Sequence, residues 1–136
     1  MSIEDMYQEH ILAHYEDPYN RITLPNPTLE FRDLNPLCGD EVRVQACLDA
    51  QGCLAQVGFE GKGCIICLAA ASMLMEAVEG KTLADVKQMD REAMLALLGV
   101  PLTMMRVKCA LLALRTLQKA IHLYEHTQGT AGAVQI

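Results

Sequence analysis

Gly61-Lys62-Gly63-Cys64-Ile65-Ile66-Cys67, continued by Leu68-Ala69-Ala70-Ala71-Ser72-Met73, is the stretch on which the fold turns. It reads as a turn that leaves a strand and enters a helix. Gly61 and Gly63 permit backbone angles closed to other residues. Cys64 then falls at the start of the helix, where unpaired backbone N–H groups and the helix dipole favour negative charge on sulfur. Thiolate is the form that binds metal and attacks sulfur.

The residues before this stretch alternate. Glu41 to Leu48 puts Val42, Val44, Ala46 and Leu48 on one face, and Cys53 to Glu60 does the same with Cys53, Ala55, Val57 and Phe59. With Asp49-Ala50-Gln51-Gly52 between them, the two runs predict an antiparallel hairpin. Thr28 to Arg32 is a weaker third strand. Cys47 and Cys53 flank the hairpin turn and read as ordinary small side chains.

The residues after it are helical. Cys64 to Val78 stops at Gly80, a natural C-terminal breaker. Thr82 with Asp85 opens a short helix through Met89, and Asp90 caps another carrying Met94, Leu95, Leu97 and Leu98. A last helix begins between Thr103 and Val107 and runs to about His126 on the stripe Val107, Leu111, Leu114, Leu117, Ile121. At the other end, Ser2 to about Tyr15 has helical spacing, and Asp17 to Pro27, broken by Pro18, Pro25 and Pro27, is a loop. His10 and His14 lie four apart and read as a solvated helix face. The expected organisation is a single domain over residues 1–126 and a flexible tail over 127–136.

Composition narrows the function classes. Of 136 residues, 51% are apolar, which suits a globular core rather than disorder. A net charge of −6 excludes a general electrostatic footprint for nucleic acid. There is neither an apolar run of membrane-spanning length nor a signal-peptide pattern, so no membrane role and a cytoplasmic location are expected. Six cysteines in such a setting point to metal binding or catalysis rather than to disulfides. Three of them stand in telling company: Cys38 before Gly39-Asp40, Cys64 after Gly63, and Cys109 after Arg106-Val107-Lys108. Three sulfurs and the Asp40 carboxylate make a plausible tetrahedral set for zinc, and sulfur ligands also suit iron–sulfur clusters.

Asn35-Pro36-Leu37-Cys38-Gly39-Asp40, Gly61-Lys62-Gly63-Cys64-Ile65-Ile66 and Arg106-Val107-Lys108-Cys109-Ala110 together resemble the three cysteine motifs of the IscU/SufU/NifU N-terminal scaffold family. His14-Tyr15-Glu16-Asp17-Pro18-Tyr19-Asn20 resembles that family's His-Tyr-x-x-Pro-x-Asn, and Val78-Glu79-Gly80-Lys81-Thr82-Leu83 follows the cysteine helix as it does there. The resemblance spans roughly residues 5 to 125. It implies an α+β domain: a small antiparallel sheet of about three strands, helices packed on one side, and the site at one end. It implies that Cys38, Asp40, Cys64 and Cys109 hold a transient [2Fe-2S] cluster or zinc. It further implies sulfur delivery by a PLP-dependent cysteine desulfurase, with Cys109 or Cys38 as persulfide acceptor, and cluster transfer to acceptor apo-proteins. Such a protein is a scaffold or sulfur carrier more than an enzyme, although SufU-type members act as zinc-dependent sulfurtransferases.

The chain departs from the family pattern in ways that leave the subtype open. Lys108 stands where the IscU type has histidine, and the pair Arg106 and Lys108 looks SufU-like. The insertion that SufU-type members carry between the second and third cysteines is absent. So is the Leu-Pro-Pro-Val-Lys motif of IscU, near Val100-Pro101-Leu102-Thr103-Met104. The Lys108 charge is expected to stabilise neighbouring thiolates. Cys67 replaces a small residue and reads as a packing side chain, with a fourth ligand or a resolving thiol as alternatives. A Cys64-Ile65-Ile66-Cys67 thiol–disulfide oxidoreductase is the rival from another class.

Overall fold

The alternating runs form the strands of the computed structural model, which describes residues 3–37 and 39–134. Strand β1 is Leu29–Asn35, β2 is Asp40–Leu48 and β3 is Leu54–Lys62. They pair in the order β1-β2-β3, antiparallel throughout. Asp40, Val42, Val44 and Ala46 of β2 are buried, and register sets Asn35 and Leu29 of β1, and Phe59 and Val57 of β3, beside them on the same face. The weakest strand of the sequence is therefore real and longer than expected, because pairing with β2 carries it on to Asn35.

Among the described residues the helices are α1 Ile3–Glu16, α2 Ile65–Val78, α3 Leu83–Lys87, α4 Arg91–Leu98 and α5 Met104–Val134. Helices α2 and α5 cover the apolar face of the sheet, while α1 and α4 pack against α2. Helix α2 is buried nearly all round, with Ala69, Ala70 and Ala71 letting it sit close to its neighbours. Thr82 and Asp85 close a reciprocal capping box on α3, Asp90 caps α4, and Gly99 ends α4 in the left-handed conformation. The helical backbone of α5 runs to Val134, past the end expected near His126. Among the described residues, no helix is long and apolar enough to cross a membrane.

The loop from Asp17 to Thr28 lies on the other face of the sheet. The Leu24 N–H donates to the buried Gln45 Oε1 at 2.8 Å. The Ile22 carbonyl comes so near Gly58 that a Cβ there would sit 2.7 Å from it. His14 does not face solvent as expected. Its Nδ1 lies 2.8 Å from the Oγ of Ser72, a fully buried residue of α2, and the Tyr19 N–H donates to the same oxygen at 2.7 Å. Ser72 Oγ thereby ties α2 to both His14 and Tyr19. Burial, and next the nearby His10, hold the His14 imidazole below its ordinary range, against the opposing pull of Glu76. The His-Tyr-x-x-Pro-x-Asn segment is thus a clasp between α1 and α2. Tyr19 Oη and Asn20 Nδ2 extend it by donating to the two oxygens of Glu79.

Candidate metal centre

The register of the sheet decides what meets at its end. Asn35 pairs with Asp40 across the β1–β2 turn, and Glu41 pairs with Lys62, the last residue of β3. The turn that carries the first cysteine motif and the exit of β3 into α2 therefore share one edge. Gly63 is the crossing point: a Cβ on it would stand 2.5 Å from Asp40 Oδ1. Only glycine lets the chain pass the carboxylate that closely.

Cys64 then caps α2. Its Sγ accepts the Cys67 N–H at 3.4 Å, so a backbone donor of the first turn points at sulfur. Its own N–H donates to Asp40 Oδ1 at 2.9 Å, and its Sγ lies 3.8 Å from Asp40 Oδ2. Cys109, in the second turn of α5, is fully buried and comes to the same place. Ligand atoms of Asp40, Cys64 and Cys109 all lie within 4.8 Å of one another.

These dimensions fit a metal. Tetrahedral zinc with Zn–S near 2.3 Å and Zn–O near 2.0 Å has ligand–ligand edges of about 3.5–3.8 Å. The Asp40–Cys64 edge already has that length, and the remaining edges need to close by at most about 1.3 Å. Asp40 is 1% exposed and accepts the Cys64 N–H, and a buried carboxylate so placed is suited to a cation. Beside it, Asn35 Nδ2 is buried and has no hydrogen-bond partner among the described residues. Such an orphaned donor belongs next to an anion.

The other predicted site residues separate. Arg106 reaches the centre: the charge of Cys64, and next side-chain hydrogen bonding toward Cys109 and Cys64, hold its guanidinium above its ordinary range. Lys108, two residues on, points elsewhere and lines a cleft between α4 and α5 with Met89, Leu111 and Gln118. Cys67 is fully buried in the core, and what it offers Cys64 is its backbone N–H. Cys47 and Cys53 are half-buried and in no disulfide. Cys38 lies outside the described residues.

Cys64 also opens onto a groove of about 820 Å³, walled by Ile11, Leu12, Ile65, Val100 and Leu102 and closed on one side by Arg106. Sequence periodicity gave no sign of this groove, because α1, α2 and the 99–103 link each contribute one edge. Nor did it single out Asn35, although Asn-Pro at the head of a cysteine motif was the available signal.

A small antiparallel sheet whose end gathers a carboxylate and thiols from a strand, a helix cap and a second helix is the architecture of an iron–sulfur assembly domain. The comparisons agree. Residues 6–131 match the model of the NifU-like N-terminal domain, and the chain belongs to that family. The zinc-dependent sulfurtransferase SufU of Bacillus subtilis is 31% identical over 137 residues, covering 88% of this chain and 92% of that one. The iron–sulfur cluster assembly scaffold protein IscU of Azotobacter vinelandii is 26% identical, covering 90% and 97%. The crystal structure of a putative SUF-system scaffold protein from Fervidobacterium islandicum superposes with a TM-score of 0.66 at 26% identity, over 88% and 99%.

Proposed function

We propose that this protein is an iron–sulfur cluster assembly scaffold. It accepts sulfur from a PLP-dependent cysteine desulfurase, builds a transient [2Fe-2S] cluster on Cys38, Asp40, Cys64 and Cys109, and passes it to acceptor apo-proteins in the cytoplasm. The observation that carries the reading is the approach of Asp40, Cys64 and Cys109 to within 4.8 Å at the open end of the sheet. Cys38 joins the set on the strength of its motif. One hard oxygen ligand among thiolates holds a cluster less firmly than four thiolates do, which suits a cluster that must leave.

Sulfur enters by thiol chemistry. A thiolate of the centre, that of Cys109 or Cys38, attacks the terminal sulfur of the donor's persulfide. A new S–S bond forms, the donor's S–S bond breaks, and the donor cysteine departs as thiolate. Cys109 is fully buried and Arg106 lies against its sulfur, so attack there requires Arg106 and the first turn of α5 to move. The Arg106 cation balances negative charge on the sulfurs until then. Lys108 is too far round the helix to share that task.

A second reading, a zinc-dependent sulfur acceptor of the SufU type, is favoured by the 31% identity to the Bacillus sulfurtransferase and by the arginine on the thiols. Zinc in the same donor set would supply positive charge that keeps the thiols deprotonated. The thiol–disulfide alternative loses its support, since Cys67 is fully buried in the core.

Anaerobic reconstitution with ferrous iron, cysteine and a cysteine desulfurase tests the proposal. The expected result is a visible absorption spectrum of a [2Fe-2S] centre, lost in Cys64→Ser and transferable to an apo-ferredoxin. Zinc uptake with persulfide formation and no cluster would decide for the second reading. Neither metal nor sulfur uptake would refute both.

A further inference from the structure

Asn35 ends β1 on the face that looks toward the helices, directly across from Asp40. Opposed residues of an antiparallel pair hold their Cβ atoms about 4.5–5.5 Å apart, so its side chain stands beside the ligand carboxylate. Its Oδ1 accepts the Leu37 N–H at 3.2 Å, and its carbonyl accepts the Gly39 N–H at 2.9 Å, so it pins both sides of the turn bearing the first cysteine motif. Reversing the amide would set NH₂ against the Leu37 N–H, so Nδ2 is the free end. That Nδ2 is buried, the residue being 8% exposed, and has no partner among the described residues.

A buried donor without an acceptor is unfavourable, and natural chains keep one where something else supplies the acceptor. The ligand carboxylate does not: Asp40 Oδ1 is taken by the Cys64 N–H and Oδ2 faces the Cys64 sulfur. The donor is left facing this end of the sheet, open to an acceptor brought to the centre. We propose that Asn35 is a positioning residue that donates its Nδ2–H to the terminal sulfur of a persulfide formed at this centre. The inference rests on the sulfur-acceptor reading, which both functional assignments share. A terminal persulfide sulfur is anionic, soft and without a proton of its own, so it accepts a charge-assisted hydrogen bond. Because the bond exists only after sulfur arrives, it favours the loaded state without tightening the metal.

Zinc-loaded protein treated with inorganic polysulfide tests this, with the lifetime of the added sulfur followed by intact mass in the presence of a competing thiol. Asn35→Ala removes both functions of the side chain; Asn35→Ser keeps an acceptor for the Leu37 N–H and withdraws the amide. Both variants should shorten the persulfide lifetime about tenfold, the worth of one charge-assisted hydrogen bond. Zinc affinity of Asn35→Ser, which keeps the turn pinned, should change by less than about threefold. Metal-free Asn35→Ser should melt no lower than the parent, since the lost amide had no partner there. A lifetime within twofold of the parent in both variants would overturn the proposal. So would a fall in the zinc affinity of Asn35→Ser as large as the fall in its persulfide lifetime, which is the mark of a merely structural role. If the parent takes up no sulfur at all, the sulfur-acceptor reading itself is refuted, and this inference falls with it.

Discussion

Gly63→Ala is the sharpest test of how the centre is assembled. The added methyl would stand 2.5 Å from Asp40 Oδ1, 3.0 Å from its Cγ and 3.1 Å from its Cβ, three atoms of one side chain that leave it no rotation by which to escape. Asp40 is 1% exposed and its Oδ1 holds the Cys64 N–H, so moving the carboxylate breaks that bond and shifts a ligand. Overpacking a filled site costs about 1–3 kcal/mol. For a domain of this size each kcal/mol lowers the melting temperature by roughly 3–5 °C, so a drop of about 3–15 °C is expected. Gly52→Ala is the control. It also has a positive φ, +78°, but nothing lies within 4 Å of its Cβ. It should lose about 1 kcal/mol to backbone strain and leave zinc affinity untouched. The assay is thermal melting of both metal-free variants, with zinc competition against a chelating dye. A Gly63→Ala protein that binds zinc as tightly as Gly52→Ala would refute the claim that this glycine sets the distance between Asp40 and Cys64.

Ser72→Ala should destabilise the metal-free protein by about 1–3 kcal/mol in urea unfolding, because it removes the buried hydroxyl that the Tyr19 N–H and His14 Nδ1 share. The same clasp gives a pH dependence. His14 is held below its ordinary 6.5, so its unfolded form takes a proton first; stability is full above that value and falls as pH drops through it toward the folded value. Parent and His14→Asn melts between pH 8 and 5 check this, with the slope expected in the parent and reduced in the variant. Cys67→Ser should leave zinc content unchanged in metal analysis, since the side chain is fully buried in the core and the contact made to the Cys64 sulfur by the Cys67 backbone N–H survives the change. Arg106→Gln, at an exposed position, should alter the stability of the metal-free protein by no more than about 0.5 kcal/mol in urea unfolding. Its effect should appear instead in the rate at which a thiol reagent labels the centre.

The elements were legible because each is written locally. Alternation marked β2 and β3, Thr82 and Asp85 wrote their own capping box, and Gly99 ended α4 where a left-handed residue was needed. Cys64 at a helix start could likewise be read from the glycines before it. The centre was legible only through the resemblance of its motifs, since spacing along the chain does not say that Asp40, Cys64 and Cys109 meet. That depends on strand register: moving β3 by one residue against β2 would send every inward side chain outward and carry Lys62, with it Cys64, away from Asp40. Register in turn is held by the core pairs Val44 with Phe59 and Ala46 with Val57, far along the sheet from any ligand. The same logic explains the residues that sequence reasoning placed differently. His14 looked like half of a surface pair because its partner, Ser72, is 58 positions away in another helix. Arg106 and Lys108 looked equivalent beside Cys109, yet two residues are about 200° of a helix, so one reaches the sulfurs and the other faces α4. Chemistry at this centre is thus set by contacts that the packing of apolar residues decides. A substitution in the Val44–Phe59 layer is therefore expected to reach the metal through register before it reaches it through any direct contact.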